Sequence, residues 1–261
     1  MEIGISVFGG IGYKEQAECL KKVGVSRTFI GSYHNEFDEA IKCFKNNGII
    51  CETLHAPFDK INDMWYEGEA GDTMFKRLLD SVDKCSKNEI PVTIIHVSSG
   101  RPMTPISKIG DERYSRLVDY AKEKGVKVAF ENLRYVENLE HNLKKYPDAG
   151  FCWDTGHEYC YTPGERIMPM FGDRLIALHI QDNACVVDSD DHLLPFDGNI
   201  HMETVAKDIA KSGYKGTLML EVTKAAKYKG KPVYEDMTVE EYYQRAADAA
   251  RKLADMVEKY R

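Results

Sequence analysis

Short apolar runs recur along the chain, each followed by a longer stretch that is apolar on one face only. The runs occupy residues 2–7, 27–31, 49–54, 92–97, 126–131, 150–154, 175–180 and 217–222. Several are almost continuously apolar or β-branched, the pattern of strands covered on both faces. Between them, apolar residues return every three or four positions, which predicts helices over 13–23, 36–44, 75–85, 113–124 and 239–260. Shorter helical patterns fall at 139–145, 166–171 and 202–211. Gly24, Gly48, Gly125, Gly172 and Gly213 stand just past these helices. Glycine there takes a left-handed C-cap without a Cβ clash.

The order is strand then helix, repeated about eight times, which calls for a parallel sheet with right-handed crossovers. The 261 residues divide into about 33 per unit, the size of one βα step. The expected architecture is α/β, a (β/α)8 barrel in a single domain spanning residues 1–261. Gly9-Gly10-Ile11-Gly12 has the wrong spacing for a dinucleotide fingerprint. Two connections, 56–71 and 181–200, are longer than the units need, and long βα loops are often functional.

Composition narrows the classes. The chain is 43% hydrophobic and 30% charged, which excludes a disordered or collagen-like polymer. Its formal charge of −7 argues against a general grip on phosphate backbones, and so against a nucleic-acid partner. The seven cysteines are odd in number and show no CxxC pair, as expected of reduced thiols. No signal-peptide pattern opens the sequence and no run of about 18 apolar residues occurs, so the expectation is a cytoplasmic protein that does not cross a membrane. A homo-oligomer stays open.

The active site of such a barrel lies at the C-terminal ends of its strands. Those positions carry His55, His96, Glu131, Asp154, His179 and Glu221, with His157 just past the sixth strand and Asp190 and His192 in the long loop after the seventh. A lone histidine at a strand end is usually a buried, hydrogen-bonded one, and a lone glutamate there can cap a helix. Here five of the chain's eight histidines share one rim with the closing carboxylates of strands five, six and eight. Imidazole and carboxylate are ligands for zinc, manganese, cobalt or magnesium, and a cation would offset the cost of burying them together.

The strings Leu54-His55-Ala56-Pro57-Phe58, Phe130-Glu131-Asn132-Leu133, Trp153-Asp154-Thr155-Gly156-His157, Leu178-His179-Ile180-Gln181-Asp182 and Leu220-Glu221-Val222 resemble the xylose isomerase-like TIM barrel superfamily. So does Asp190-Asp191-His192-Leu193-Leu194-Pro195-Phe196-Asp197-Gly198-Asn199-Ile200, which is similar to that group's DxHLxPGxGxI loop. The group holds sugar and cyclitol isomerases and epimerases together with endonuclease IV.

In its epimerase branch the resemblance implies one divalent metal on Glu131, Asp154, His179 and Glu221, with His157 on a substrate oxygen. Glu131 and Glu221 would then act as acid and base on a metal-bound enediolate of a sugar, sugar phosphate or cyclitol. In the endonuclease branch it implies three zinc ions, and His55, His96, His157, Asp190 and His192 join the ligand set. The same rim suits a dehydratase of a hydroxy-carbonyl compound. Asp154-Thr155-Gly156-His157 lacks the cysteine of the endonuclease DTCH string, and Asp190-Asp191-His192 lacks the arginine of DRH. The 56–71 loop resembles the sugar-isomerase members, where Trp65 would stack on a sugar face or pack as core. Gln181-Asp182-Asn183 lacks the substrate-holding arginine that ketose 3-epimerases carry after the strand-seven histidine, and Arg134 is the candidate to replace it. Lys224, Lys227, Lys229 and Lys231 follow strand eight, as a phosphate-holding loop or a solvated lysine loop.

Overall fold

Each apolar run becomes a strand: β1 (Ile3–Ile5), β2 (Arg27–Gly31), β3 (Ile50–His55), β4 (Val92–His96), β5 (Lys127–Glu131), β6 (Gly150–Asp154), β7 (Leu175–His179) and β8 (Leu218–Leu220). The structure is a computed structural model that describes residues 1–34 and 36–261. Strands β2 to β7 pair in chain order, all parallel, and β8 pairs in parallel with β1. Two seams close the ring. Ile180 N–H donates to Met219 O at 2.8 Å and Glu221 N–H to Ile180 O at 2.9 Å, joining β7 to β8. The Thr28 hydroxyl donates to Ile5 O at 2.7 Å, joining β2 to β1. The fold is the expected (β/α)8 TIM barrel.

The surrounding helices are α1 (Tyr13–Lys22), α2 (Phe37–Asn46), α3 (Glu69–Asn88), α4 (Lys108–Glu123), α5 (Val136–Lys145), α6 (Thr155–Tyr161), α7 (Ile167–Phe171), α8 (Met202–Ser212) and α9 (Val239–Tyr260). Helix α9 starts on a capping box, in which Thr238 accepts from Glu241 N–H while the Glu241 side chain reaches back to Thr238 N–H. Gly24, Gly48, Gly125 and Gly213 take the left-handed conformation expected of them. Gly172 does not: its φ is −61°, because the chain tightens into a 3-10 turn, Gly172–Arg174, instead of stopping. Helix α3 begins six residues before the position its apolar periodicity predicts, since four of those six residues are exposed. A short antiparallel hairpin, β9 (Lys227–Tyr228) and β10 (Lys231–Pro232), follows β8.

The core has two parts, set by the period of two along each strand. The outer part lies between strands and helices. The inner part is a separate buried cluster of Val92, Ile94, Ala129, Cys152 and Ala177. Continuing the same parity by two residues reaches His96, Glu131, Asp154 and His179. Small side chains thus fill the barrel floor, and the next layer up is made of imidazoles and carboxylates.

Candidate functional site

That layer converges. Glu131 is fully buried, and both its oxygens face imidazoles. Oε1 lies 2.6 Å from His179 Nδ1. Oε2 lies 2.8 Å from His96 Nε2 and 3.3 Å from His55 Nε2. His179 Nδ1 is also 3.3 Å from Glu221 Oε2. One ligand-type atom from each of Glu131, Asp154, His179 and Glu221 falls within 4.8 Å of the others, and the same holds for His55, His96 and Glu131. The structure therefore gathers the four expected ligands and sets a second group against them through Glu131. His157, Asp190 and His192 form a third neighbourhood, with Asp190 Oδ2 at 3.2 Å from His157 Nε2 and 3.3 Å from His192 Nε2.

Local folding explains the placement of Asp154 and His157. Asp154 ends β6 and caps α6 directly, its Oδ1 accepting from His157 N–H at 2.6 Å. Asn132 clamps the backbone of Asp154 from the β5 side, donating to its carbonyl and accepting its N–H, each at 2.8 Å. Gln181 donates to Asp190 Oδ1 at 2.8 Å and accepts from His192 N–H at 3.0 Å. Gly156 leaves room for it, since a Cβ there would run into the Gln181 amide.

Three imidazoles share one wiring. His55 Nδ1 lies 2.8 Å from Ala56 O, His157 Nδ1 3.0 Å from Asn132 O, and His192 Nδ1 3.0 Å from Glu221 O. A carbonyl only accepts, so each Nδ1 carries the hydrogen. In the neutral ring, each Nε2 then aims a lone pair at a carboxylate oxygen 3.2–3.3 Å away. Two lone pairs face each other stably only if the ring is protonated or a cation sits beside both. His96 Nε2, Glu131 Oε2 and His179 Nε2 are buried with no aligned hydrogen-bond partner. This donor set fits a divalent cation.

The electrostatics match. Burial would raise the Glu131 carboxyl, but His179, with His55 and His96, holds it well below the usual carboxylate range. Burial would lower His157 and His192, yet each is pushed up to about 10, His157 chiefly by Asp154 and Asp190 and His192 chiefly by Asp190. Burial, reinforced by Glu221, Glu131 and Asp190, lifts Asp154 well above its ordinary value despite His157.

Two positions differ from expectation. Trp65 lies in a 3-10 turn, Ile61–Trp65, and is 1% exposed. Its Nε1–H donates to Val97 O at 2.7 Å, and its ring packs on Tyr114 and over Gly110. No face is free for a sugar, so the stacking role is corrected to a core role. Strands β1 and β2 offer no carboxylate or imidazole, but β2 does reach the site: Phe29 stacks on His179 with ring centres 4.7 Å apart. Apolar residues inside a strand give no sequence signal of such a role.

Arg134 lies beside the site, with its guanidinium 3.6 Å over the Tyr161 ring, which in turn stacks on His157. Lys224 spends its ammonium on the carbonyls of Tyr234 and Glu235, while Lys227, Lys229 and Lys231 are exposed on the hairpin. That arrangement is a solvated loop with one structural lysine.

The comparisons agree with this geometry. The family model described as xylose isomerase-like TIM barrel matches residues 24–238. "Uncharacterized protein y4fM" of Sinorhizobium fredii is 37% identical over 145 residues, which is 52% of this chain and 43% of that protein, so the chain spans less than half of that relative. Among solved structures, a D-psicose 3-epimerase with D-tagatose from Clostridium cellulolyticum superposes with a TM-score of 0.78 at 15% identity, covering 98% of this chain and 99% of that one. The IOLI protein with a binding zinc atom gives 0.75 at 18% identity, covering 100% and 99%. The apo 3-keto-D-glucoside 4-epimerase YcjR from E. coli gives 0.74 at 16% identity, covering 98% and 99%. Identities this low speak for the fold alone, whereas the family model spans most of the chain and the ordered strand-end motifs. The chain belongs to the xylose isomerase-like TIM barrel family.

Proposed function

We propose that this protein is a divalent-metal-dependent isomerase or epimerase acting on a small carbohydrate, with Glu131, Asp154, His179 and Glu221 as metal ligands. The observation that carries the reading is the convergence of these four side chains: one ligand-type atom from each lies within 4.8 Å of the others, and Glu131 Oε2 and His179 Nε2 are buried there without an aligned hydrogen-bond partner. The solved structures it resembles bear the names of sugar epimerases and of a zinc-binding protein, which points the same way.

A divalent ion bound there supplies Lewis-acid polarisation of a hydroxy-carbonyl pair, making the carbon-bound proton beside the carbonyl acidic. The chain's own groups do the rest. Glu131 Oε1 and Glu221 Oε2 both approach His179 Nδ1, at 2.6 and 3.3 Å. One removes the proton and the other returns it, to the opposite face for epimerisation or to the neighbouring carbon for isomerisation. Glu221 is the more accessible of the two, with 16% of its side chain exposed against none for Glu131. It therefore meets substrate and bulk protons from the mouth, while Glu131 works from the floor. Phe29 and Phe58 wall the site, Phe58 against His96 with ring centres 4.9 Å apart, and keep water from competing. His157 holds a substrate oxygen.

A second reading is a polynuclear zinc phosphodiesterase. The observation in its favour is that Glu131 belongs to both the four-residue group and the His55, His96 and Glu131 group. Metal counting on the purified protein, combined with a solvent-deuterium exchange assay over neutral and anionic ketoses and aldoses, tests both. About one ion per chain and deuterium in the product carbon support the isomerase. Three zinc ions with cleavage of abasic DNA support the phosphodiesterase. A chain that takes up no divalent ion overturns both.

A further inference from the structure

At the mouth of the barrel, three loops meet in two ion pairs that share one carboxylate and that the chemistry above does not use. Arg101 lies in the loop after β4, Arg134 in the loop after β5, and Asp188 in the loop after β7. Asp188 Oδ1 accepts from Arg134 Nε at 2.9 Å, and its Oδ2 accepts from Arg101 Nε at 3.4 Å. One carboxylate thus serves two guanidiniums, leaving a net positive charge. The hydrogen bonds both arginines make to Asp188 run from Nε, so that carboxylate leaves the terminal nitrogens of both forks unused.

The two arginines are not alike. Arg134 is largely covered, and its plane lies 3.6 Å over Tyr161. Tyr161 stacks on His157 with ring centres 4.8 Å apart and donates to Asp190 Oδ2 at 3.3 Å. Arg134 is therefore fixed one aromatic ring away from the candidate centre. Arg101 is half-exposed and is paired with Asp188 at the longer distance of 3.4 Å.

Asp188 is the movable partner. It sits on a turn closed by Ser189 N–H to Val186 O, has φ of +60°, and follows two valines that are each more than half exposed. A turn that shows Val186 and Val187 to water holds its place by the carboxylate's ion pairs, one backbone bond to Cys160 O and the Ser189 hydroxyl on Asp191, not by core packing.

We propose that Arg101 and Arg134 form the seat for an anionic group on the substrate, a phosphate or a carboxylate, and that Asp188 occupies this seat when no substrate is bound. The proposal rests on the reading of the rim as a carbohydrate site, and it narrows the substrate class to sugar phosphates or sugar acids. On binding, the substrate oxyanion replaces the Asp188 carboxylate on both forks, and the 186–189 turn is released to lay its valines over the mouth.

The test is titration calorimetry of the purified protein with two probes, inorganic phosphate and acetate, in the wild type and in Asp188→Gly, Asp188→Asn, Arg134→Gln and the double variant Arg101→Gln with Arg134→Gln. Glycine accepts the left-handed turn, so Asp188→Gly keeps the loop while removing the competitor. Phosphate binding about tenfold tighter in Asp188→Gly or Asp188→Asn, and lost by tenfold or more in the double variant, is the expected result. Preference for phosphate over acetate assigns a sugar phosphate, and the reverse assigns a sugar acid. Equal phosphate affinity in the wild type and both Asp188 variants overturns the proposal. So does binding that survives in the double variant, which places phosphate elsewhere, such as on the metal. Turnover is not read here, and metal content measured on the same samples shows separately whether the metal reading holds.

Discussion

Oε1 of Glu131 lies 2.6 Å from Nδ1 of His179, and that contact is the corner at which the two ligand groups meet. Glu131 belongs to both groups, and Glu221 does not belong to the one built with His96. Unequal consequences follow for two similar substitutions. Glu131→Gln should lower solvent-deuterium exchange by roughly 100- to 10,000-fold, the range for losing a general acid or base. It should also reduce metal retention more than Glu221→Gln, because Glu131 belongs to three of the gathered groups and Glu221 to two. Metal analysis of the two variants side by side checks this. Equal retention would remove Glu131 from its bridging position.

Trp65 separates a packing role from a substrate role. Trp65→Phe loses the hydrogen bond to Val97 O, which should cost about 1 kcal/mol of stability. Trp65→Ala opens a buried cavity beside Tyr114 and should cost about 3–5 kcal/mol. Neither change should move KM in protein that remains folded. Denaturant unfolding together with steady-state kinetics on Trp65→Phe is the check. A rise in KM at unchanged stability would return Trp65 to the sugar-binding wall.

How much of this was legible in the sequence depends on the kind of signal. Strand ends were legible because a parallel barrel strand is buried on both faces, so its apolar run stops where chemistry starts, as at Glu131 and Asp154. The register of imidazoles and carboxylates followed from that alone. Trp65 was not legible, because an aromatic in a loop has the same composition whether it faces a sugar or a helix. Its neighbour Gly110, on α4, is the residue that admits the ring, and it lies 45 positions away in the chain. Helix α6 was missed for a related reason: seven residues hold too little periodicity, and its cap, Asp154, reads first as a strand-end ligand. Phe29 and Asp188 act through partners far away in the chain, which no local pattern reports.

Asp182 holds the long loop after β7 in place. Its carboxylate accepts from the backbone N–H groups of Asn183, Phe196, Gly198 and Ile200, at 2.8 to 3.0 Å. Gly198 is required there, since a Cβ would collide with the Asp182 carboxyl. Asp182→Ala would leave several of these N–H groups without a partner, two of them on buried residues. The expected loss is about 3 kcal/mol or more, since each buried orphan costs about 1–3 kcal/mol. Because Asp190 and His192 ride on the same loop, metal retention should fall with it. Chemical denaturation and metal analysis of this variant test both parts. A loss under about 1 kcal/mol would show that the loop is held by something else.

The metal-free protein should lose stability as pH rises. His157 and His192, whose folded values are about 10, are stabilised most while protonated. Their contribution is complete below the ordinary histidine value near 6.5 and is lost as pH climbs through about 10. Asp190 is depressed despite its burial, by the same two histidines, so its contribution holds above the ordinary carboxylate value and is lost only as pH falls towards its folded one. His96 has the opposite sign to His157 and His192: burial lowers it, so the fold loses its contribution as pH drops below about 6.5. The maximum for chelated protein should therefore lie near pH 6 to 7, with the thermal midpoint falling from there to pH 10. Added divalent metal should reverse the trend, because an imidazole binds metal only when deprotonated, so the gain in Tm should be larger at pH 9 than at pH 6. Tyrosines and lysines also ionise near pH 10, and Asp190→Asn separates them. It removes the main charge that raises His192 and one of the two that chiefly raise His157, so its alkaline slope between pH 7 and 9 should be shallower than that of the parent chain. An unchanged slope in Asp190→Asn would assign the loss to groups outside the rim.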